Sequence, residues 1–247
     1  MSNAKPCHTP CLPYQRLSKD DGLPFADPTM YRSIVGALQY LTFTRPDITF
    51  AVHQVCQFMQ QPMVSHFTAV KRILRYLKGT MNYGMRYSPG PLELKAFSDA
   101  DWAVDPNDRR STTGLVIFLG SNPISWASKK QQTVSRSSTE AEYRALSSTA
   151  AEIDWLKQLL DFMCVDIIQP PVIFCDNVSA ISLSFNPVQH QRTKHIEIHV
   201  HFVRERVARN QLAVQFVTSK EQFADILTKG LSTSLFQLHC NNLMLGV

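Results

Sequence analysis

The sequence predicts an α/β protein built on a five-stranded mixed sheet flanked by helices and preceded by a small helical segment. Two observations lead there. Apolar residues recur at helical spacing over residues 28–78, and after the Ser88-Pro89-Gly90-Pro91 break the period falls to two, the spacing of a strand with one covered face. Beyond the break the patterns run strand, strand, strand, helix, strand, helices, strand, helix, an order that demands antiparallel pairs together with parallel pairs joined by crossovers. With 247 residues, 44% of them hydrophobic, the chain has enough apolar surface for one large domain or two small ones, which excludes disorder throughout.

Residues 1–27 are rich in Pro, Lys, Asp and Ser, lack apolar periodicity, and read as a flexible lead-in. Asp27-Pro28 opens a helix through Tyr31, Ile34, Val35, Leu38 and Leu41, Arg45-Pro46-Asp47 punctuates it, and a second helix covers about 48–59. A third, about 65–78, sets Phe67, Val70, Ile73, Leu74 and Leu77 on one face and Lys71, Arg75 and Lys78 at i, i+4, i+7 on another. Residues 93–99, 113–119 and 124–127 read as strands, the last two joined by a turn at Gly120-Ser121-Asn122-Pro123. A long helix follows over 138–163, then a strand at 172–175, helices at about 177–185 and 193–209, a strand at 212–217 and a last helix from near Lys220. The expected division is a lead-in at 1–27, a helical segment at 28–90 and an α/β domain at 91–247.

The net charge is +5, from 25 basic and 20 acidic residues, and it is unevenly spread: residues 1–90 carry +6 and residues 91–247 carry −1. A basic piece beside one that concentrates carboxylates suits a nucleic-acid grip next to a metal-dependent site, and equally suits two ordinary domains. The six cysteines are scattered without a C-x-x-C pair, and Met-Ser-Asn-Ala-Lys-Pro is no secretory leader, so reduced thiols and an intracellular location are expected. No stretch reaches the ~18–20 apolar residues that a membrane span requires.

The chemistry lies in the carboxylates. Asp99 and Asp176 each stand at the C-terminal end of a hydrophobic strand, where open α/β sheets present side chains to ligands. On the long helix, Glu140 and Glu142 are about 200° apart around the axis. Glu142 shares the apolar face of Ala145, Leu146, Thr149 and Ile153, whereas Glu140 suits a Ser137-x-x-Glu140 capping box and a pair with Arg144. Asp225 sits in the first turn of the expected last helix, where the helix dipole alone accounts for an acid. Asp101 is a rival to Asp99, but its place beside Trp102 suits a loop. Acid-rich, oxygen-only sites favour Mg²⁺ or Mn²⁺ over zinc, and two such ions ~3.5–4 Å apart activate a water and stabilise the leaving oxygen in phosphodiester hydrolysis. His195 and His199, four residues apart, lack an obvious third ligand and read as structural or surface residues.

At these residues the sequence resembles a known family. Ser98-Asp99-Ala100-Asp101-Trp102-Ala103, Arg109-Arg110-Ser111-Thr112-Thr113-Gly114, Ile124-Ser125-Trp126, Ser137-Ser138-Thr139-Glu140-Ala141-Glu142-Tyr143, Phe174-Cys175-Asp176-Asn177, Thr193-Lys194-His195-Ile196 and Ala224-Asp225-Ile226-Leu227-Thr228-Lys229 look like the ribonuclease H domain of copia-type retrotransposon Pol polyproteins. Tyr31 to Leu41, Arg45-Pro46-Asp47-Ile48 and Leu74 to Thr80 look like the C-terminal, thumb- or connection-like part of the same element's reverse transcriptase. The resemblance implies a ribonuclease H-like fold that cuts the RNA strand of RNA–DNA hybrids with two Mg²⁺ ions, Mn²⁺ substituting. Asp99 and Asp176 would bridge the ions, and Glu142 and Asp225 would each hold one. Lys71, Arg75, Lys78, Arg109, Arg110 and Arg136 are candidate phosphate contacts, and Ser137, Asn177 and Ser179 candidate contacts to 2′-hydroxyls.

The partners implied are the hybrid and the rest of the reverse transcriptase or a second Pol subunit, in a cytoplasmic virus-like particle or the nucleus. Two departures stand out. Many ribonucleases H carry a histidine before the final helix, where this chain has Thr218-Ser219-Lys220. The Tyr-x-Asp-Asp motif of the polymerase is missing from these residues, so no polymerisation is expected. The competing reading is a catalytically silent remnant that binds nucleic acid or a partner subunit.

Overall fold

The structure is a computed structural model that describes residues 4–185 and 197–246. In chain order the elements are α1 (Pro28–Leu41), a 3₁₀ turn (Pro46–Ile48), α2 (Thr49–Cys56), α3 (Val64–Gly79), β1 (Gly84–Met85), β2 (Leu94–Asp101), β3 (Thr112–Leu119), β4 (Asn122–Lys130), α4 (Ser138–Phe162), β5 (Val172–Cys175), α5 (Val178–Phe185), α6 (Glu197–Ala208), β6 (Ala213–Phe216), a 3₁₀ turn (Phe223–Leu227), α7 (Thr233–Asn242) and β7 (Leu245–Gly246). Among the described residues no helix is long and apolar enough to cross a membrane. The chain divides into two compact units, one of Met1–Arg86, Val104–Arg109 and Ile226–Val247 and one of Tyr87–Ala103 and Arg110–Asp225.

The first unit is helical. Asp27 accepts the Met30 N–H and caps α1, and Pro28 occupies a first-turn position that needs no donor. A buried ion pair organises the rest: Arg45 donates to both carboxylate oxygens of Asp47 at 2.9 and 2.7 Å and to the Thr80 carbonyl and hydroxyl, while the Tyr76 hydroxyl donates to Asp47 at 2.5 Å. Residues 4–27, expected as a flexible lead-in, carry specific contacts instead. Arg75 and Lys78 donate to the carbonyls of Lys5 and Ala4, Arg72 donates to the Thr9 hydroxyl, and Phe25 stacks on Phe67 at 4.2 Å. Residues 226–247, placed by the sequence with the sheet, pack here because Phe236 of α7 meets Tyr76 edge-on and β7 pairs antiparallel with β1.

The second unit is the expected mixed sheet. Its five strands lie in the order β4-β3-β2-β5-β6, antiparallel from β4 to β2 and parallel from β2 to β6. The β3–β4 turn is tighter than expected. Gly120 adopts φ +62°, which a side chain resists, and a Cβ there would come within 2.8 Å of the Pro91 carbonyl.

Alternate residues of β2 face opposite ways. Leu94 and Ala96 join Leu115, Ile117, Tyr143, Leu146 and Ile153 in the core beneath α4, and Ala100 meets Ala141 and Ala145, a small-residue contact that brings α4 close to the strand end. Phe97 faces the other side, stacked on Phe174 at 5.1 Å and on Phe223 at 4.3 Å.

Candidate active site

The parallel β2–β5 ladder sets Phe97 opposite Phe174, so carrying the register on by two residues brings Asp99 level with Asp176. Both acids stand toward the same sheet rim, although β2 runs two residues past Asp99 and takes in Asp101, which the sequence reading had placed in a loop. Asp99 is 3% exposed. Glu142 projects from the second turn of α4, is 6% exposed, and belongs to a group with Cys175 and Asp176 whose ligand atoms all lie within 4.8 Å of one another. Glu140 is occupied elsewhere: its N–H is capped by Ser137, its Oε2 accepts the Arg136 N–H, and its Oε1 accepts from Arg144. The 200° separation read from the sequence therefore assigns the two glutamates as expected.

Asp225 arrives differently. The α-helix expected from Lys220 is a 3₁₀ turn over Phe223–Leu227, and the α-helix starts only at Thr233. Side-chain tethers explain the correction: Gln222 donates to the Ser98 carbonyl and accepts the Ala224 N–H, and Phe223 is stacked on Phe97. These contacts hold the turn to Phe97 and Ser98, the two β2 residues just before Asp99, and compete with an extended helical ladder. Asp225, 4% exposed, is thereby fixed beside that strand. Neither Asp99 nor Asp225 falls within the 4.8 Å group.

Two residues at this rim escaped the sequence reading. Cys175, fully buried, points its thiol at Glu142 Oε2 at 4.0 Å. Burial above all, then the negative charges of Glu142, Asp176 and Asp99, push that thiol well above its ordinary pKa, so it stays protonated at neutral pH. Alternation in β5 was the available signal, because Ile173 and Cys175 share the face that α4 covers. Ser219 donates a hydrogen bond to Asp176 Oδ2 at 3.1 Å from a loop with no sequence signature.

The candidate nucleic-acid contacts fare unevenly. Ser137 spends its hydroxyl capping α4, and Asn177 spends its amide oxygen on the Ala180 N–H at the start of α5. Arg109, in the left-handed region at φ +60°, Arg136 and Ser179 are exposed, and Arg110 is half-buried. On α3, Arg75 and Lys78 hold the N-terminal segment, and the Lys71 ammonium lies 4.8 Å from the centre of the Phe67 ring. His195 and its neighbours Thr193, Lys194 and Ile196 lie outside the described residues. His199 bonds Ser147 at 2.9 Å, in keeping with a structural role.

The donor set fits a hard divalent cation. Glu142 and Asp176 bring two carboxylates together beside the Cys175 thiol, and carboxylate oxygens are the ligands Mg²⁺ and Mn²⁺ prefer.

The strand order and the helix packed on it give the α/β fold with a five-stranded mixed sheet that the sequence predicted. Over nearly its whole length the chain is similar to retrovirus-related Pol polyproteins of copia-type transposons. It is 52% identical over 238 residues to the Pol polyprotein from transposon RE1 of Arabidopsis thaliana, covering 96% of this chain and 16% of that protein. It is 48% identical over 128 residues to secreted RxLR effector protein 161 of Plasmopara viticola, covering 51% of this chain and 90% of that one. Among solved structures, the N-terminal RNase H domain of Rv2228c from Mycobacterium tuberculosis is a distant likeness, with TM-score 0.42 and 12% identity over 61% of this chain and 97% of that one. No protein-family model matches the chain. The chain thus spans 16% of the length of the RE1 polyprotein it matches.

Proposed function

We propose that this chain hydrolyses the RNA strand of RNA–DNA hybrids by two-metal-ion catalysis, as the ribonuclease H-like part of a retrotransposon Pol polyprotein. The observation that carries the reading is the meeting of Glu142 and Asp176 within 4.8 Å at the rim where Asp99 comes level with Asp176. Asp99 and Asp176 would hold both ions, and Glu142 and Asp225 one each. Bound Mg²⁺ supplies an activated water and charge neutralisation at the phosphodiester.

The protein's own residues keep the acids in place. The Ser219 hydroxyl orients Asp176, the Cys175 thiol faces Glu142, and the Gln222 and Phe223 tethers hold Asp225 to β2. Burial of Asp99, Glu142 and Asp225 limits bulk water at the rim and strengthens their grip on cations. In this reading Arg109, Arg110 and Arg136 contact phosphates, Ser179 reaches a 2′-hydroxyl, and Arg75 and Lys78 exchange their carbonyl partners for phosphates on binding.

The test is incubation with a labelled hybrid, duplex DNA and single-stranded RNA in Mg²⁺. Cleavage confined to RNA in the hybrid and abolished by Asp99→Asn supports the reading. Cleavage that survives Asp99→Asn removes the site, and cutting of duplex DNA removes the substrate. A second reading, a silent remnant that binds nucleic acid or a partner subunit, is favoured by one comparison: a relative matched over 90% of its own length is named an effector.

A further inference from the structure

We propose that Cys175 makes the rim a binding site for thiophilic divalent cations, Cd²⁺ and Zn²⁺, held by its sulfur together with Glu142 and Asp176. The inference rests on the functional reading above only in sharing those two carboxylates. Three donor atoms of two kinds, one sulfur and two carboxylate oxygens, lie within 4.8 Å of one another. Among the described residues they are the one group of three or more potential metal ligands so placed.

The geometry suits a compact tetrahedral ion. Zinc–sulfur bonds of ~2.3 Å and zinc–oxygen bonds of ~2.0–2.2 Å place neighbouring ligand atoms closer together than 4.8 Å, so a small contraction of rotamers completes three sides of the coordination shell. The fourth position is left for water. Cys175 is 0% and Glu142 6% exposed, while the neighbouring Asp176 is half-buried. As the sulfur–metal bond forms, the thiol proton passes to solvent and no electron is transferred.

Mg²⁺ gains nothing from sulfur, whereas Cd²⁺ and Zn²⁺ do. One residue therefore decides which ion the rim prefers, and a soft ion seated there occupies two of the carboxylates that catalysis would use. Cys175 is in this sense a specificity-determining residue for metal.

The experiment titrates the whole 247-residue chain with Cd²⁺ and follows the ultraviolet thiolate-to-cadmium charge-transfer band, with no nucleic acid present. The expected result, above what the exposed Cys164 and the half-buried Cys7, Cys11 and Cys56 contribute alike in every variant, is a band component that saturates at one ion per chain, is lost in Cys175→Ser, and shifts to about 10–100-fold weaker binding in Glu142→Gln. Should Cys175→Ser fail to fold, Glu142→Gln and the isosteric Asp176→Asn still decide the matter, because only a site at this rim responds to them. A band of full strength in Cys175→Ser, or affinity unmoved by both carboxamide variants, overturns the proposal. Hybrid cleavage in Mg²⁺ is scored separately. Cleavage without the Cys175-dependent band ends this inference alone, and the band without cleavage ends the nuclease reading alone.

Discussion

Glu142 places a carboxylate oxygen within 4.8 Å of one from Asp176, although one residue rides on a helix and the other ends a strand. Glu140, two positions earlier on the same helix, is turned into Arg144 and the backbone of Arg136.

That contrast separates stability from chemistry. Glu142→Gln should abolish Mg²⁺-dependent cleavage with the fold intact. Glu140→Ala removes an N-terminal tie and a buried partner of Arg144, at a cost of about 1–3 kcal/mol, and should leave cleavage measurable. Urea unfolding and a hybrid-cleavage assay on both variants check this; loss of activity in the two alike would contradict it.

Ser219 acts on Asp176 from outside the acid group. Ser219→Ala should unfold like the parent, since the bond is exposed, yet raise the Mg²⁺ concentration for half-maximal cleavage about 10-fold, the usual consequence of losing a group that orients a ligand. Metal titrations of the initial rate give the answer.

The buried pair in the helical unit predicts a large effect of a small change. Asp47→Asn preserves shape but strips the Arg45 guanidinium of its countercharge, and it should cost about 3–5 kcal/mol by urea unfolding. Replacing both, Arg45→Met with Asp47→Leu, should recover much of that loss, because the larger cost lies in a stranded charge.

His239 gives the helical unit a pH dependence. Burial first, and then the Lys229 ammonium, lower its pKa from 6.5 to about 4, and the residue is fully buried. The native state therefore resists protonation that the unfolded chain accepts. Stability from this group is full above pH 6.5 and is lost as pH falls from there to about 4, by roughly 3 kcal/mol at 1.36 kcal/mol per pH unit. His239→Leu should flatten that part of the stability–pH curve relative to the parent, measured by urea midpoints at stepped pH.

What the sequence made legible follows from which forces are local. The strand-end positions of Asp99 and Asp176, and the opposed faces of Glu140 and Glu142, follow from periods of 2 and 3.6 that any backbone obeys. The turn carrying Asp225 does not, because Gln-Phe-Ala-Asp-Ile-Leu satisfies a helical pattern and only its contacts with Phe97 and Ser98 override it. Residues 4–27 look aperiodic because what holds them is largely side chains of α3 donating to their backbone carbonyls, which hydropathy cannot register. Likewise the docking of α7 depends on Phe236 finding Tyr76, a pairing written nowhere in local spacing. Ser219 belongs to the same class, a loop hydroxyl whose role exists only once β5 is in place.

Diffraction from crystals soaked in Mn²⁺ tests the shared-cation site most directly. Anomalous peaks bounded by Asp99, Glu142, Asp176 and Asp225, and lost in Asp99→Asn, are the predicted result. Peaks seated away from these four acids, or a rim that stays empty at saturating Mn²⁺, would contradict it.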